Sequence, residues 1–278
     1  MGAAQMDKPD QVLQYMLRPR IDDCLELWFG KSAQTDRDIR DRFGADVALA
    51  AGGFYDPWAL NAEHPRRVVA LVILLDQFPR NIYRDTAQMY ACDARCQTIV
   101  KQALRAGMAE RLRPIERLFL CLVLTHSERL DDQRLCMALW GHTMAELVPD
   151  DPLHVFQDIF QRHLVVIQRF GRFPHRNTVL QRASTAAEEA FLGDGNFRFD
   201  LPLVLRPDGG FSFTGSCSRW LGYGVSPATS ASAASSVSDR PCCTSVAACS
   251  GPSVAIAAAS TRARTTSSSG SNFMLRVS

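Results

Sequence analysis

Apolar residues recur every three or four positions along much of the first 200 residues, a spacing that places them on one face of an α-helix. One such stripe runs from Phe156 to Phe170 and ends at Gly171. Alternating apolar and polar runs between hairpin turns, which would indicate strands, do not occur in residues 22–199. The pattern therefore predicts an all-α fold of seven or eight helices joined by short loops and arranged as antiparallel helix pairs.

Capping residues and prolines mark where several of these helices begin. Thr185 and Glu188 have the spacing of a capping box, in which the two side chains and two backbone amides bond reciprocally. The other expected first residues or N-caps are Asp36, Thr86, Pro114, Asp131 or Asp132, and Pro152.

One segment is apolar on every face. Residues 68–78 read VVALVILLDQF, so they are expected to be buried as either a helix or a strand. Their length and the absence of glycine favour a central helix, while their valine and isoleucine content keeps a strand as the alternative.

The composition changes after the helical region. Residues 226–271 are mostly Ser, Ala and Thr, and such a segment cannot bury enough apolar surface to offset the entropy of ordering it. The expected organisation is an N-terminal extension at 1–19, a helical domain at 20–200 and a disordered tail at 201–278. Residues 201–223 are intermediate in composition.

Net charge and hydropathy limit the partners. The formal net charge is only +2, and the basic residues do not concentrate in one stretch as they do in many proteins that bind nucleic acid. No apolar run approaches the roughly 18 residues of a membrane-spanning helix, and the N-terminus lacks a secretory pattern. We expect a soluble, cytoplasmic protein that has neither a nucleic acid nor a membrane as partner.

The nine cysteines do not resemble a disulfide framework, because their number is odd and their spacings are long. Five of them lie in helical segments and are expected to be small buried apolar groups. Two of these, Cys92 and Cys96, are one helical turn apart, but no second pair with ligand spacing accompanies them. We therefore expect no metal and no other cofactor. His163 lies on the apolar stripe and is expected to be a core histidine.

Three apolar segments each run directly into a polar motif. VALVILL precedes DQFPRN at 76–81, LFLCLVLT precedes HSE at 126–128, and HLVVIQRF precedes GRFPHRN at 171–177. If the helices pack together, these polar groups lose water and must pair with each other, with trapped water or with a ligand. We expect the three motifs to converge at one end of the helices.

This convergence allows three interpretations. The first is a binding or scaffold module whose arginines receive an anionic small molecule or a peptide. The second is a hydrolase or transferase in which His126 or His175 is the general base and Glu128 orients it. The third is a purely structural role for the motifs. The candidate ligand-binding residues are Asp76, Gln77, Arg80, Asn81, Arg172, Arg176 and Asn177.

The same motifs resemble those of domain-of-unknown-function family 924. The similar strings are LLDQFPRNIYRD at 74–85, HSERLDDQ at 126–133, RFGRFPHRN at 169–177 and STAAEEAFL at 184–192. The resemblance covers about residues 21–199 and implies a helical fold related to tetratricopeptide-like superhelical arrays, but no activity. Asp85 departs from the family pattern, which usually has glycine there, and STAAEE lacks the proline of the family's STPEE.

Overall fold

Helices make up nearly all of the described part of the chain. A computed structural model describes residues 6–19, 21–29, 32–193, 203–205 and 211–213. Contacts divide the chain into one unit of residues 1–225 and a second of residues 226–278, and the second unit lies outside the described residues. Most of the tail predicted to be disordered, residues 201–278, therefore lies outside them as well. Within the expected tail, strands β1 (Leu203–Leu205) and β2 (Phe211–Phe213) pair antiparallel.

Short turns of 3₁₀-helix separate several of the α-helices: Ala87–Tyr90, Ala109–Arg111, Pro152–His154 and Pro174–Arg176. A π-helical turn, Ile73–Gln77, joins the α-helices Arg66–Val72 and Phe78–Ile82. The α-helices in the described residues are α1 (Lys8–Met16), α2 (Ile21–Phe29), α3 (Ala33–Ala51), α4 (Pro57–Leu60), α5 (Arg66–Val72), α6 (Phe78–Ile82), α7 (Asp93–Arg105), α8 (Pro114–Thr125), α9 (Leu130–Met144), α10 (Val155–Phe170) and α11 (Ala186–Gly193).

Helices α5 and α8 lie at the centre of the core. Every side chain from Val68 to Leu75 is buried, and so is every side chain from Leu118 to Leu124. A helix surrounded by other helices has no solvent face, which explains why the sequence of α5 shows no amphipathic stripe. The prediction of a central helix at 68–78 is confirmed, and the alternative of a strand is wrong.

The packing partners of these helices are both near and far in sequence. Helix α8 packs against α9, and α9 against α10, while α5 packs against α1, α7 and α8. In a repeat array each unit contacts only its neighbours, whereas α5 contacts helices well before and after it. The all-α class is confirmed, and the tetratricopeptide-like superhelical array stays a prediction.

Helix α1 belongs to this core, although residues 1–19 were expected to form an extension. Its side chains Val12, Leu13 and Met16 are buried, and α1 packs against α5. Its N-cap is Asp7, whose carboxylate accepts a hydrogen bond from the backbone N–H of Asp10. The segment is short, and its few apolar groups did not indicate burial from the sequence.

Three of the expected N-caps are wrong, because a nearer polar group or a tighter turn takes the position. Helix α3 begins one turn before Asp36, with Ser32 as its N-cap. Thr86 does not cap a long helix, since its hydroxyl donates to Tyr83 O and a 3₁₀ turn follows. Arg129 precedes α9, so both aspartates of its first turn lie inside the helix.

The expected capping box is confirmed, and the expected burial of five cysteines is confirmed for four of them. The capping box is present, since Thr185 N–H donates to the Glu188 carboxylate and Glu188 N–H donates to the Thr185 hydroxyl. Four cysteines of the described residues are buried among apolar groups and Cys92 is half-buried; the four are Cys24, Cys96, Cys121 and Cys136. Among the described helices, none has the length and apolarity needed to cross a bilayer.

Candidate functional site

The π-helical turn ends the central apolar helix at a buried carboxylate. In this turn the backbone N–H of Phe78 donates to Ile73 O, one residue further back than in an α-helix. The turn holds Asp76, whose side chain is only 1% exposed. A buried charge of this kind must be paired, because desolvation strongly disfavours an isolated carboxylate. Turns of this type are frequent at functional sites.

Asp76 is paired with a histidine and an arginine. The Nδ1 atom of His126, the residue that ends α8, lies 3.0 Å from each Asp76 carboxylate oxygen. Arg80, one turn further along the chain, donates from Nη2 to Asp76 Oδ1 at 2.8 Å. The amide of Gln77 also donates to Asp76. Both oxygens of this carboxylate therefore face donors.

A second carboxylate, Asp93 at the start of α7, continues the network. Arg80 Nη2 donates to Asp93 Oδ1 at 2.9 Å, and Arg176 Nη1 lies 3.5 Å from Asp93 Oδ2. Arg176 Nη2 also donates to the backbone O of His126 at 3.0 Å. The structure thus brings together residues from all three polar motifs, two from the first and one from each of the others. We call Asp76, Arg80, Asp93, His126 and Arg176 the Asp76 cluster.

Two aromatic rings flank the arginines of the Asp76 cluster. The ring of Tyr90 lies under both guanidinium groups, with centroid distances of 5.4 Å to Arg80 Cζ and 4.5 Å to Arg176 Cζ. The ring of Phe173 lies 4.5 Å from Arg176 Cζ. Such contacts fix the plane of a guanidinium group and favour its charged form. Because the rings contact the faces of the guanidinium groups, the N–H groups along the edges remain available to hydrogen-bond acceptors.

Part of that edge has no acceptor. The Nε–H groups of Arg80 and Arg176 are both buried and have no hydrogen-bond partner among the described residues. A buried donor left unpaired costs about 1–3 kcal/mol, and more when the group is charged. The cluster is therefore short of acceptors although it contains two carboxylates.

Electrostatics set the protonation states in the cluster. Burial alone would raise the pKa of Asp76, but Arg80 and His126 hold it below its usual range. Burial and the charge of Arg80 lower the pKa of His126. Burial raises the pKa of Asp93. The imidazole is therefore neutral at neutral pH, with its proton on Nδ1 facing Asp76 and a lone pair on Nε2.

The motifs that build this cluster can be compared with those of known proteins. The model of a family described as bacterial proteins of unknown function (DUF924) matches residues 12–196. The chain belongs to this family. A solved structure of a protein of unknown function from Agrobacterium tumefaciens has 30% identity and a TM-score of 0.58, over 67% of this chain and 97% of that chain. No curated protein matches.

The part that matches DUF924 contains all five residues of the Asp76 cluster, but it also contains predicted site residues that lie elsewhere. Glu128 was expected to orient a histidine, and it does not. Its carboxylate accepts from the backbone N–H of Phe173 at 2.9 Å and from Arg182 Nη1 at 2.7 Å. The reason is that the loop after α8 faces the loop after α10, which brings Arg182 to Glu128, while Asp76 takes His126.

Other polar residues of the DUF924 motifs tie loops to helices. Arg172 donates to both oxygens of Glu188 and does not contact the Asp76 cluster. The Asn81 amide donates to Asp36. Asn177 donates to Ser184. These contacts hold helix ends together and correct the expectation that Arg172, Asn81 and Asn177 share the site with Asp76.

The two remaining histidines of interest lie near the cluster. His175 is exposed, with its ring 5.6 Å from that of Phe173. His163 is buried, its Nδ1 lies 2.7 Å from Ile159 O, and its ring lies 6.3 Å from that of His126. His163 is thus a core residue, as the sequence predicts.

Sequence reasoning missed Asp93 and Tyr90. A signal for Asp93 exists in the sequence, because Asp93, Cys96, Val100 and Ala103 share one buried face of α7. A carboxylate at a stripe position must have a buried partner. Tyr90 lies in a short 3₁₀ turn and carries no such signal.

Proposed function

We propose that the chain is a helical binding module that receives a small anionic group, a carboxylate or a phosphate, at the Asp76 cluster. The observation that carries the proposal is the pair of buried Nε–H groups of Arg80 and Arg176 that lack an acceptor. An oxyanion placed against them would supply the missing hydrogen bonds. A planar guanidinium group also matches the geometry of carboxylate and phosphate oxygens.

The burial of the cluster limits what can enter. The side chain of Arg80 is 16% exposed and that of Arg176 is 8% exposed. Only a small anionic head can reach both guanidinium groups, so the rest of a larger ligand or an acidic peptide would stay outside. The rings of Tyr90 and Phe173 keep the guanidinium planes in place, which reduces the ordering cost of binding.

The test is a thermal-shift series on the full chain with sulfate, phosphate and short-chain carboxylates. A ligand that binds only the folded state stabilises it by RT ln(1 + [L]/Kd), which is about 2.7 kcal/mol at a hundredfold excess over Kd. We expect at least one of these anions to raise Tm, and the Arg176→Lys variant to lose that rise. Lysine keeps the charge but cannot present a guanidinium fork.

Arg66→Lys is the matched control. Arg66 also pairs with a buried carboxylate, Glu116, at 2.8 Å, but at the other end of α5. The Tm of Arg66→Lys should respond to the anions as the Tm of the wild type does. Equal responses of wild type, Arg176→Lys and Arg66→Lys would be a general salt effect and would contradict the proposal.

A second candidate function rests on the contact between Asp76 and His126. A neutral imidazole whose Nδ1–H faces a carboxylate has the arrangement of a general base, with Nε2 as the accepting atom. In this alternative, a hydrolase or transferase, Asp76 takes the orienting role that the sequence assigned to Glu128. Bound anion and base would then lie side by side, because Arg80 and the His126 imidazole contact the same carboxylate oxygen of Asp76.

The enzyme alternative is tested with chromogenic ester and phosphoester substrates. Hydrolysis by the wild type that disappears in His126→Gln and persists in His175→Gln would support it. Hydrolysis that survives in His126→Gln would exclude His126 as the base.

A further inference from the structure

We infer that an anion bound at the Asp76 cluster is accompanied by a proton on Nε2 of His126, so that the site takes up a small oxyanion and a proton together. This inference rests on the proposed anion site. It adds that His126 is the group that supplies the positive charge balancing the anion.

The first step is the charge balance of the cluster. Two carboxylates, Asp76 and Asp93, face two guanidinium groups, with contacts of 2.8, 2.9 and 3.5 Å. These four charges cancel, and the neighbouring imidazole is neutral. A further negative charge in so buried a place has no counter-charge, and an uncompensated buried charge is strongly disfavoured.

The second step is the position of His126. Its Nδ1 already faces Asp76, so protonation of the ring leaves that contact unchanged. The imidazolium gains an N–H donor at Nε2, which has no hydrogen-bond partner among the described residues. The ring is 16% exposed, and it contacts the same carboxylate oxygen of Asp76 as Arg80 does, so an anion at the arginines lies close to the ring. The anion raises the pKa of His126 by offsetting the charge of Arg80.

The third step compares the other titratable groups around His126. Burial holds the pKa of His163, on α10, well below its usual value, and raises the pKa values of Tyr90 and Cys96, so all three stay neutral. Glu128 is ionised and held by Arg182. Asp93 is the competitor for the proton, but on protonation it would weaken its contacts with both arginines. His126 keeps all of its contacts and is therefore the better acceptor.

The test is calorimetric titration of the full chain with sulfate, whose charge stays constant over the range, between about pH 5 and pH 8. Two buffers with different heats of ionisation report the number of protons taken up. We expect an uptake of about one proton, and an affinity that falls about tenfold per pH unit between the free and bound pKa values of His126.

His126→Gln removes the titrating group and keeps a polar side chain of similar length. It should bind sulfate weakly, with no proton uptake and no pH dependence. His142→Gln, at an exposed position of α9, is the control and should behave as the wild type. An NMR titration of the wild type gives an independent measurement, because saturating sulfate should raise the pKa of His126 itself.

The outcomes separate the two proposals. Sulfate binding to the wild type without proton uptake, or uptake that persists in His126→Gln, overturns the inference and leaves the anion site standing. If proton uptake persists in His126→Gln, Asp93 is the group that takes up the proton, and Asp93→Asn would abolish the uptake. Failure of every anion to bind the wild type at any pH in the range overturns both.

Discussion

The contribution of Asp76 to stability can be tested by one isosteric substitution. Asp76→Asn removes the negative charge and keeps the shape of the side chain. In the folded protein it leaves Asp93 as the remaining carboxylate that contacts Arg80, and it places amide hydrogens against donors on Arg80, Gln77 or His126. Removing one partner from a buried pair costs about 3–5 kcal/mol, because the other charge stays buried without compensation. Asp93 still contacts Arg80, so the lower end of this range is expected.

The measurement is urea-induced unfolding of wild type and Asp76→Asn at neutral pH. With a slope m of about 2–3 kcal/mol/M, a loss of about 3 kcal/mol lowers the midpoint by about 1–1.5 M. Asp131→Asn is the matched control, since the Asp131 side chain is 81% exposed, and its free energy of unfolding should change by less than about 0.5 kcal/mol.

The pH dependence gives a second check on the same variant. The pKa of Asp76 is lowered on folding, so its contribution is complete above the unfolded pKa of about 3.9 and is lost as pH falls towards the folded value. The difference between wild type and Asp76→Asn should therefore shrink in acid. A difference below about 0.5 kcal/mol at neutral pH, with both proteins folded, would refute the view that this carboxylate is buried and paired.

Two further predictions concern other parts of the fold. Asp85 has a left-handed backbone conformation with φ 61°, which glycine adopts without strain. Asp85→Gly should therefore raise the free energy of unfolding by about 0.5–1 kcal/mol and raise Tm with it. Asp85→Val should lower both quantities. Hydrogen bonds from Arg172 and from Thr185 N–H lower the pKa of Glu188 to about 2. The stability from this contact should therefore be complete above the unfolded pKa of about 4.3, and it should be lost as pH falls towards the folded pKa of about 2. An NMR titration of the Glu188 carboxyl checks this, and a midpoint at the ordinary glutamate value would contradict the paired geometry.

The sequence predicts the elements of this fold better than their pairings. The helix at 68–78 and the capping box at Thr185 follow from local patterns, which act over a few residues. The π-helical turn does not, because an extra residue in a helix is tolerated only where tertiary contacts compensate it. The sequence likewise shows that Asp76, His126 and Arg176 need partners, but not which partners they find.

The assignment of Glu128 shows why such pairings resist prediction. Several carboxylates and several arginines follow the apolar helices, and any of them satisfies the rule that buried charges are paired. Glu128 meets Arg182, 54 positions away, because two loops face each other. That juxtaposition depends on the packing of α8 and α10, which no local pattern encodes. Tyr90 was missed for the same reason.

The order of residues in the Asp76 cluster bears on how the chain is made. Arg80, Asp93 and His126 leave the ribosome well before Arg176, which follows α10. Until then two acidic groups share one guanidinium group, and the backbone O of His126 lacks its donor. A nascent chain that stops before residue 176 can form its central helices but cannot neutralise their polar end. Translation therefore supplies the last charge of the Asp76 cluster only after α10 has been made.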